Sequence, residues 1–212
     1  MDKPVIIFGA NGIGKAALEI FKSNEIIVYG FLDDNVSLHG KSIMDINILG
    51  KTNDDGFLKF IGHKCEAFVA TDNNSERKSL VNMLNTKRKV MPVNAIHKFA
   101  RIPDSAYLEH GNFINDSVII GTQAKIGSHN LIHSGAIIDF EAVIGNFVQI
   151  GAGSIVGQGA IIEDEVFIGS GVTLVPGITI GKGARVGAGS VVVGDISKDE
   201  TVFGNPAKPV DV

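Results

Sequence analysis

Of the chain's 212 residues, 26 are glycine, well above the usual share of about 7%. The net charge of −4 argues against a nucleic-acid-binding surface. A single cysteine, Cys65, excludes an internal disulfide framework and fits a reducing compartment. No apolar run is long enough to cross a membrane, and the N-terminus lacks the length and order of a signal peptide. We therefore expect a soluble cytoplasmic protein with neither nucleic-acid nor membrane partners.

The first part of the chain alternates between apolar runs and helical stretches. We predict strands at residues 4–8, 26–32 and 67–70, and helices at residues 16–22, 54–60 and 74–84. Strands that alternate with helices are typical of a parallel sheet with helices on its faces. Residues 1–95 are therefore expected to form a small, Rossmann-like α/β domain.

A glycine-rich loop follows the first predicted strand and contains Gly9, Asn11, Gly12 and Gly14. Such a loop can present backbone N–H groups to phosphate at a helix N-terminus. Its spacing departs from the dinucleotide-binding pattern, and Ala16 replaces the Ser or Thr with which a P-loop holds Mg²⁺. Three interpretations stay open: a nucleotide-sugar site, an NTPase P-loop, and a tight turn without a ligand.

Two acidic residues, Asp33 and Asp34, end the next predicted strand. Ligands of open parallel sheets bind beyond the carboxyl ends of the strands. The glycine loop and the two carboxylates would meet at that edge, which favours the nucleotide-sugar interpretation.

An aliphatic residue recurs at every sixth position in the second part of the chain. The series runs without interruption from Ile102 to Val192, sixteen positions in all. A period of six fits no helix, and it predicts a parallel β-helix with one short strand per hexapeptide and three strands per coil. The aliphatic side chains would fill the interior, and glycines with positive φ would form the corners. Residues 96–212 are expected to form this β-helix and a C-terminal tail.

The two parts together resemble the hexapeptide-repeat bacterial sugar acyltransferases. The resemblance covers essentially the whole chain, and it is carried by the glycine loop, the strand ending in Phe-Leu-Asp-Asp, the hexapeptides and the closing segment 203–208, Phe-Gly-Asn-Pro-Ala-Lys. It implies a left-handed β-helix, acetyl-CoA as the co-substrate, and a homotrimer with a CoA groove between adjacent subunits. The family includes sialic acid O-acetyltransferases and N-acetyltransferases of nucleotide-linked amino sugars.

The resemblance also implies a catalytic coil, which here reads Ile-Asp-Phe-Glu-Ala-Val-Ile-Gly over residues 138–145. Phe140 stands where the family has its histidine base, and Gln149 stands at a second histidine position. Asp139 and Glu141 match the family frame and are the candidate catalytic residues.

The resemblance further implies that Gly157, Gln158, Ala188, Pro206 and Lys208 bind CoA. A backbone N–H near Gly157 and Gln158 would polarise the thioester carbonyl. The substrate-binding candidates are the four glycine-loop residues and the two aspartates named above. Ile13 replaces a further family histidine in that loop, and no metal is expected.

Because phenylalanine cannot move a proton, three mechanisms stay open. A sugar amine near its own pKa can attack the thioester once it is positioned. Glu141, His129 or His133 could replace the missing base. Catalysis could also be lost while sugar and CoA binding persist. The other histidines are interpreted as structural: His39, His63, His97 and His110.

The favoured function is that of an acetyl-CoA-dependent acetyltransferase acting on a nucleotide-linked amino sugar in bacterial surface-glycan synthesis. An amine acceptor fits the missing histidine better than a hydroxyl, because an alcohol must lose its proton as it attacks. The alternatives are a sugar O-acetyltransferase and a catalytically impaired trimeric protein that binds sugar and CoA.

Overall fold

The computed structural model describes residues 3–210, and Met1, Asp2, Asp211 and Val212 lie outside the described residues. The chain divides into two compact units between Lys98 and Phe99. Within residues 3–210, no helix is long and apolar enough to span a membrane.

The first unit is an α/β sandwich around a five-stranded sheet. The elements of this unit are β1 (Val5–Phe8), α1 (Gly12–Ser23), β2 (Val28–Leu32), a 3₁₀ turn (Val36–Leu38), β3 (Ser42–Ile43), β4 (Ile46–Gly50), α2 (Asp55–Leu58), β5 (Glu66–Val69), α3 (Asn74–Arg88) and β6 (Ala95–Ile96). The strand order is β3-β4-β2-β1-β5, and β4, β2, β1 and β5 run parallel. The strands β1 and β5 are almost wholly buried, so the sheet centre is the core of the unit.

One edge of this sheet is a hairpin that the apolar pattern of the sequence does not predict. Strand β3 pairs antiparallel with β4, and the turn between them uses Met44 and Asp45 at φ of 48° and 69°. Both strands are short and only partly buried, and Asn47 is the exposed second residue of β4. Because their apolar pattern is interrupted, periodicity gives little signal for them. The parallel centre of the sheet matches the expectation.

Cys65 is 2% exposed, and burial raises the pKa of its thiol. A neutral, buried thiol is a poor nucleophile. We expect no reaction with a thiol-specific disulfide reagent at pH 7.5 in the native protein, and one equivalent after denaturation. Rapid reaction of the native protein would contradict the buried position.

The second unit is a parallel β-helix. Within the described residues it contains fifteen two-residue strands: β7 (Tyr107–Leu108), β8 (Phe113–Ile114), β9 (Ile119–Ile120), β10 (Lys125–Ile126), β11 (Leu131–Ile132), β12 (Ile137–Ile138), β13 (Val143–Ile144), β14 (Gln149–Ile150), β15 (Ile155–Val156), β16 (Ile161–Ile162), β17 (Phe167–Ile168), β18 (Thr173–Leu174), β19 (Thr179–Ile180), β20 (Arg185–Val186) and β21 (Val191–Val192). The second residue of each strand is the predicted aliphatic, and from Ile114 onward these residues are buried.

Strands 18 residues apart pair in parallel, as when Lys125 pairs with Val143, so three strands make one coil. The prism therefore has three faces, which we name by their first strands. The Tyr107 face contains β7, β10, β13, β16 and β19; the Phe113 face contains β8, β11, β14, β17 and β20; the Ile119 face contains β9, β12, β15, β18 and β21. The predicted three strands per coil are confirmed by this register.

The glycines of the β-helix fall into two sets with different causes. Gly159 is one of a set at the corners with φ near +65°, where an L-residue is strained. Gly157 belongs to the set that follows the aliphatic residues, and a Cβ there would lie 2.7 Å from Leu174 O on the next coil. Positive φ therefore accounts for the first set alone, and close stacking of successive coils accounts for the second.

A C-terminal hairpin closes the second unit. Strand β22 (Thr201–Gly204) pairs parallel with β20, and β23 (Ala207–Pro209) pairs antiparallel with β22. The hairpin thus extends the Phe113 face beyond the last coil.

Candidate functional site

The glycine loop forms the turn from β1 into α1 in the first unit. Asn11 is the N-cap of α1, and its Oδ1 accepts a hydrogen bond from Gly14 N at 3.2 Å. Gly9 has a φ of +109°, and a Cβ on Gly14 would lie 2.0 Å from Gly9 O. The fold itself therefore requires glycine, for steric reasons, at two of the three positions, Gly9 and Gly14.

Gly12 differs from the other two glycines. It is exposed at the first position of α1, and nothing lies within 4 Å of where its Cβ would stand. The first N–H groups of a helix have no acceptor within the helix and favour an anion. The fold does not require glycine here, so close approach of a ligand is an explanation for it.

Asp33 and Asp34 both hold loops at the carboxyl edge of the sheet. The Asp33 carboxylate accepts from Ala10 N and Asn35 N, each at 2.8 Å, and thereby ties the glycine loop to the end of β2. The Asp34 carboxylate accepts from Thr52 N and Thr52 Oγ1, both at 2.9 Å. In the structure, each of the two carboxylates positions a loop. Direct binding of a nucleotide sugar by Asp33 or Asp34 stays a prediction.

A cleft of about 390 Å³ opens at this edge, and we call it the Glu76 cleft. Of its lining residues, the sequence predicts only Asp34. The walls are polar apart from one leucine, and they consist of Asp34, Thr52, Asn73, Ser75, Glu76, Ser79 and Leu80. The missed residues are Thr52 in the β4–α2 connection, the α3 N-cap Asn73, and four residues in the first two turns of α3, and their side chains carry no recognisable spacing.

A buried network supports the wall of the Glu76 cleft. Arg77 is 1% exposed, and its guanidinium donates to Thr71 O and to Asn74 Oδ1, both at 2.8 Å. The Thr71 hydroxyl in turn donates to Glu76 Oε2 at 2.6 Å. Burial lowers the pKa of Arg77 to about 10, partly opposed by Asp72, so the guanidinium stays charged at neutral pH.

The predicted catalytic residues share one corner of the β-helix, between the Ile119 and Tyr107 faces. We call it the Phe140 corner. The Phe140 ring is 42% exposed, and its backbone N donates to Asp139 Oδ1 at 2.8 Å. Glu141 lies in the left-handed region and lines a shallow cleft of about 340 Å³ beside Tyr107 and Lys125.

Gln158 stacks directly above Phe140 in the same corner. Gly159 N donates to Phe140 O at 3.1 Å, which fixes the two turns one coil apart. Gly157 N donates to Leu174 O at 3.0 Å, so this N–H is not available to a thioester carbonyl. Within residues 3–210 no acceptor is found for Gln158 N, and of the two predicted donors only Gln158 N is available.

Gln149 lies on the Phe113 face, which is opposite the Phe140 corner because each coil passes through all three faces in turn. Its Nε2 lies 3.4 Å from Nε2 of His133. Within one subunit, the two family histidine positions are therefore not brought together.

The other CoA-binding candidates also lie away from the Phe140 corner. Ala188 stands at the corner between the Phe113 and Ile119 faces, and Pro206 and Lys208 belong to the C-terminal hairpin. All three are exposed. A groove that used them together with Gln158 would need two neighbouring copies of the β-helix.

The histidines considered as substitute bases differ in access. His129 is 3% exposed, and its ring centroid lies 4.9 Å from that of Phe147, so it is poorly placed to meet a substrate. His133 is half-buried, on the side of Gln149. Among the described residues, no group of three or more His, Cys, Asp or Glu side chains could hold a metal ion.

Comparisons with known families match both units. The PglD N-terminal domain family matches residues 4–84, and the bacterial transferase hexapeptide family (six repeats) matches residues 141–175 and 159–194. The two matches support the resemblance to the hexapeptide-repeat sugar acyltransferases. No curated protein is significantly similar to it in sequence.

Solved structures of similar acyltransferases cover the whole chain. A histidine mutant of GDP-perosamine N-acetyltransferase from Caulobacter crescentus, in complex with CoA and GDP-perosamine, is 26% identical, with a TM-score of 0.90 over 100% of this chain and 99% of that chain. PerB from the same organism, with the same two ligands, is 27% identical, with a TM-score of 0.89 over the same shares. The predicted α/β domain followed by a left-handed β-helix is thereby confirmed.

The acetyltransferase domain of PglB from Neisseria gonorrhoeae, in complex with acetyl coenzyme A, is 24% identical. Its TM-score is 0.89 over 99% of this chain and 100% of that chain. At this identity the likeness shows a shared fold.

Proposed function

We propose that the chain transfers the acetyl group of acetyl-CoA to the amine of a nucleotide-linked amino sugar. The observation that carries this proposal is end-to-end similarity to a GDP-perosamine N-acetyltransferase that holds both CoA and GDP-perosamine. The N-terminus of α1, with Gly12 open to solvent, is the proposed binding place of the diphosphate. Asp33 and Asp34 would fix the loops around it.

The proposed chemistry takes place at the Phe140 corner. The amine attacks the thioester carbonyl carbon and loses a proton to water or to Glu141, and the CoA thiolate leaves. Gln158 N–H is the donor proposed to stabilise the oxyanion, because no acceptor within residues 3–210 occupies it. Positioning of the amine would supply most of the acceleration, since Phe140 offers no base.

Retention of substrate binding without the histidine has independent support. A histidine mutant of the Caulobacter enzyme holds both CoA and GDP-perosamine. Ligand binding in that relative therefore persists when one of its histidines is absent. By the same reasoning, Phe140 is compatible with a chain that still binds both substrates.

The test is thiol release from acetyl-CoA in the presence of GDP-, UDP- and dTDP-linked 4-amino sugars. Turnover with an amino sugar supports the proposal. Turnover with hydroxyl acceptors alone would assign the chain to the sugar O-acetyltransferases. Binding of a nucleotide sugar without any turnover would identify a catalytically impaired binding protein. This is the alternative raised by the replacement of the family's histidine base by Phe140. A cytoplasmic location and a role in surface-glycan synthesis belong to the same proposal.

A homotrimer is part of the proposal, because Gln149 and Gln158 lie on opposite sides of one prism. The outward residues of the Ile119 face form an aliphatic row broken only by Thr173: Ile119, Ile137, Ile155, Thr173 and Val191. Exposed apolar rows of this kind mark protein interfaces. Packing of this row between copies would set a corner of one subunit beside a face of the next, with the CoA groove between them.

Ile155 is 41% exposed in the middle of this row. We expect Ile155→Lys to convert the trimer to monomers and to abolish acetyl transfer, because an ammonium group would be buried at the interface. Analytical ultracentrifugation and the thiol-release assay check both effects. Ile27→Lys, at a 65% exposed position of the first unit, is the matched control and should stay trimeric. A trimeric, active Ile155→Lys protein would contradict the interface.

A further inference from the structure

The Glu76 cleft has a composition that does not suit a diphosphate. Two of its lining residues, Asp34 and Glu76, are carboxylates, and its lining contains neither lysine nor arginine. Like charges would repel a diphosphate from these walls. A neutral part of the nucleotide sugar that is rich in hydrogen-bond donors fits better.

The two carboxylates differ in how much hydrogen-bonding capacity remains. Both oxygens of Asp34 face Thr52, whose hydroxyl lies 2.9 Å from Oδ1 and 3.0 Å from Oδ2. Glu76 uses only Oε2, which accepts from the Thr71 hydroxyl. Among the described residues, Oε1 of Glu76 has no partner. An ionised carboxylate has about four acceptor sites, so Glu76 can accept at least two further hydrogen bonds.

The position of Glu76 is fixed from two directions. Its backbone N donates to Asn73 Oδ1 at 3.0 Å, in the N-cap of α3. Its carboxylate is held by Thr71, which is 2% exposed and whose carbonyl accepts from the buried Arg77. A side chain restrained in this way loses little entropy when a ligand binds. Leu80, in the same cleft, offers an apolar surface for a flat ring.

We propose that Glu76 binds the N1–H and N2–H₂ donors of guanine, so that the nucleotide sugar is a GDP-sugar. This inference rests on the proposed function. Guanine presents two adjacent donors on one edge, and a carboxylate accepts both side by side. Uracil and thymine present a single N–H between two carbonyl oxygens, which a carboxylate repels. The GDP-perosamine held by the 27% identical PerB shows that guanine is used by a similar protein.

The experiment measures binding of GDP, IDP, UDP and dTDP to the full chain by isothermal titration calorimetry. IDP differs from GDP only by the missing 2-amino group, so it isolates one of the two proposed hydrogen bonds. A hydrogen bond to a charged group predicts that GDP binds about tenfold more tightly than IDP. UDP and dTDP should bind more weakly still.

In Glu76→Gln, the amide N–H₂ would oppose the guanine donors, and we expect the preference for GDP over IDP to disappear. Glu19→Gln, an exposed carboxylate on α1 outside the cleft, is the matched control and should keep the preference. Circular dichroism verifies that both variants fold. The comparison of GDP with IDP in the unaltered chain needs no variant, so it decides the matter even if Glu76→Gln fails to fold.

Equal affinity for GDP and IDP, or tighter binding of UDP or dTDP, overturns the guanine assignment while the acetyltransferase proposal stands. Thiol release with a UDP- or dTDP-linked amino sugar in preference to the GDP-linked one has the same meaning. If none of the four nucleotides binds and no amino sugar gives turnover, the proposed function itself fails, and the assignment of guanine fails with it.

Discussion

Replacing Phe140 by histidine is expected to raise the rate of acetyl transfer by about 10²- to 10⁴-fold, the usual contribution of general base catalysis. Phe140 stands at an exposed corner between Asp139 and Glu141, so an imidazole there would reach solvent and substrate. The added rate should appear as a histidine with a pKa near 6.5 loses its proton, and should therefore rise between about pH 5.5 and 7.5. Thiol release measured across this range checks both the size and the pH dependence.

Phe140→Leu is the control for this experiment, because it removes the ring without supplying a base. We expect its rate to stay close to that of the unaltered chain. If Phe140→His gains nothing while Phe140→Leu still binds acetyl-CoA, the Phe140 corner is not where the proton is removed. If Phe140→Leu loses the activity, the phenyl ring itself positions a substrate.

Replacing Gly14 by alanine is expected to lower the free energy of unfolding by about 3 kcal/mol or more. A Cβ there would stand 2.0 Å from Gly9 O, which is a backbone atom of the β1–α1 turn and cannot move aside as the end of a flexible side chain can. The turn would have to open, and the hydrogen bond from Ala10 N to Asp33 would weaken with it. Urea denaturation of the full chain measures the loss, with the helical circular-dichroism signal as the readout because α1, α2 and α3 belong to the first unit.

Gly12→Ala is the matched substitution, since nothing lies within 4 Å of the added methyl group. Alanine in a helix is favoured over glycine by up to about 1 kcal/mol, so stability should be unchanged or slightly higher. If the diphosphate binds at the N-terminus of α1, the methyl group should nevertheless weaken nucleotide-sugar binding by roughly tenfold. Unchanged affinity in Gly12→Ala would move the diphosphate to another part of the sheet edge.

The β-helix could be predicted almost completely from the sequence, because every hexapeptide must place one side chain in the same kind of buried interior position. Only an aliphatic side chain fills the prism interior at Ile132 or Ile150, so the period is written into the sequence. The stacking role of Gly157 could not be seen in this way. A glycine required by a neighbouring backbone and a glycine required by positive φ look alike in a sequence.

The candidate site of the first unit was harder to predict than its strands. Thr71, Glu76 and Arg77 come together because a helix begins directly after a strand, and hydrogen-bond partners in such a turn have no fixed spacing. Asp33 was found through its place at the end of a strand. Its bonds to Ala10 N and Asn35 N, which give it a positioning task, depend on loop geometry that composition does not reveal.

Because strands 18 residues apart pair, residues 18 apart occupy the same position in successive coils of the β-helix. Loss of one hexapeptide between Phe140 and Gln158 would keep the aliphatic period, and the shortened coil could still fill its interior. It would, however, carry Gln158 round to a different corner and leave Phe140 beneath an unrelated turn. Loss of three consecutive hexapeptides elsewhere in the β-helix would leave both the alignment of faces and this stacking in place. Between Phe140 and Gln158, a change of six or twelve residues should therefore abolish the site without abolishing the fold.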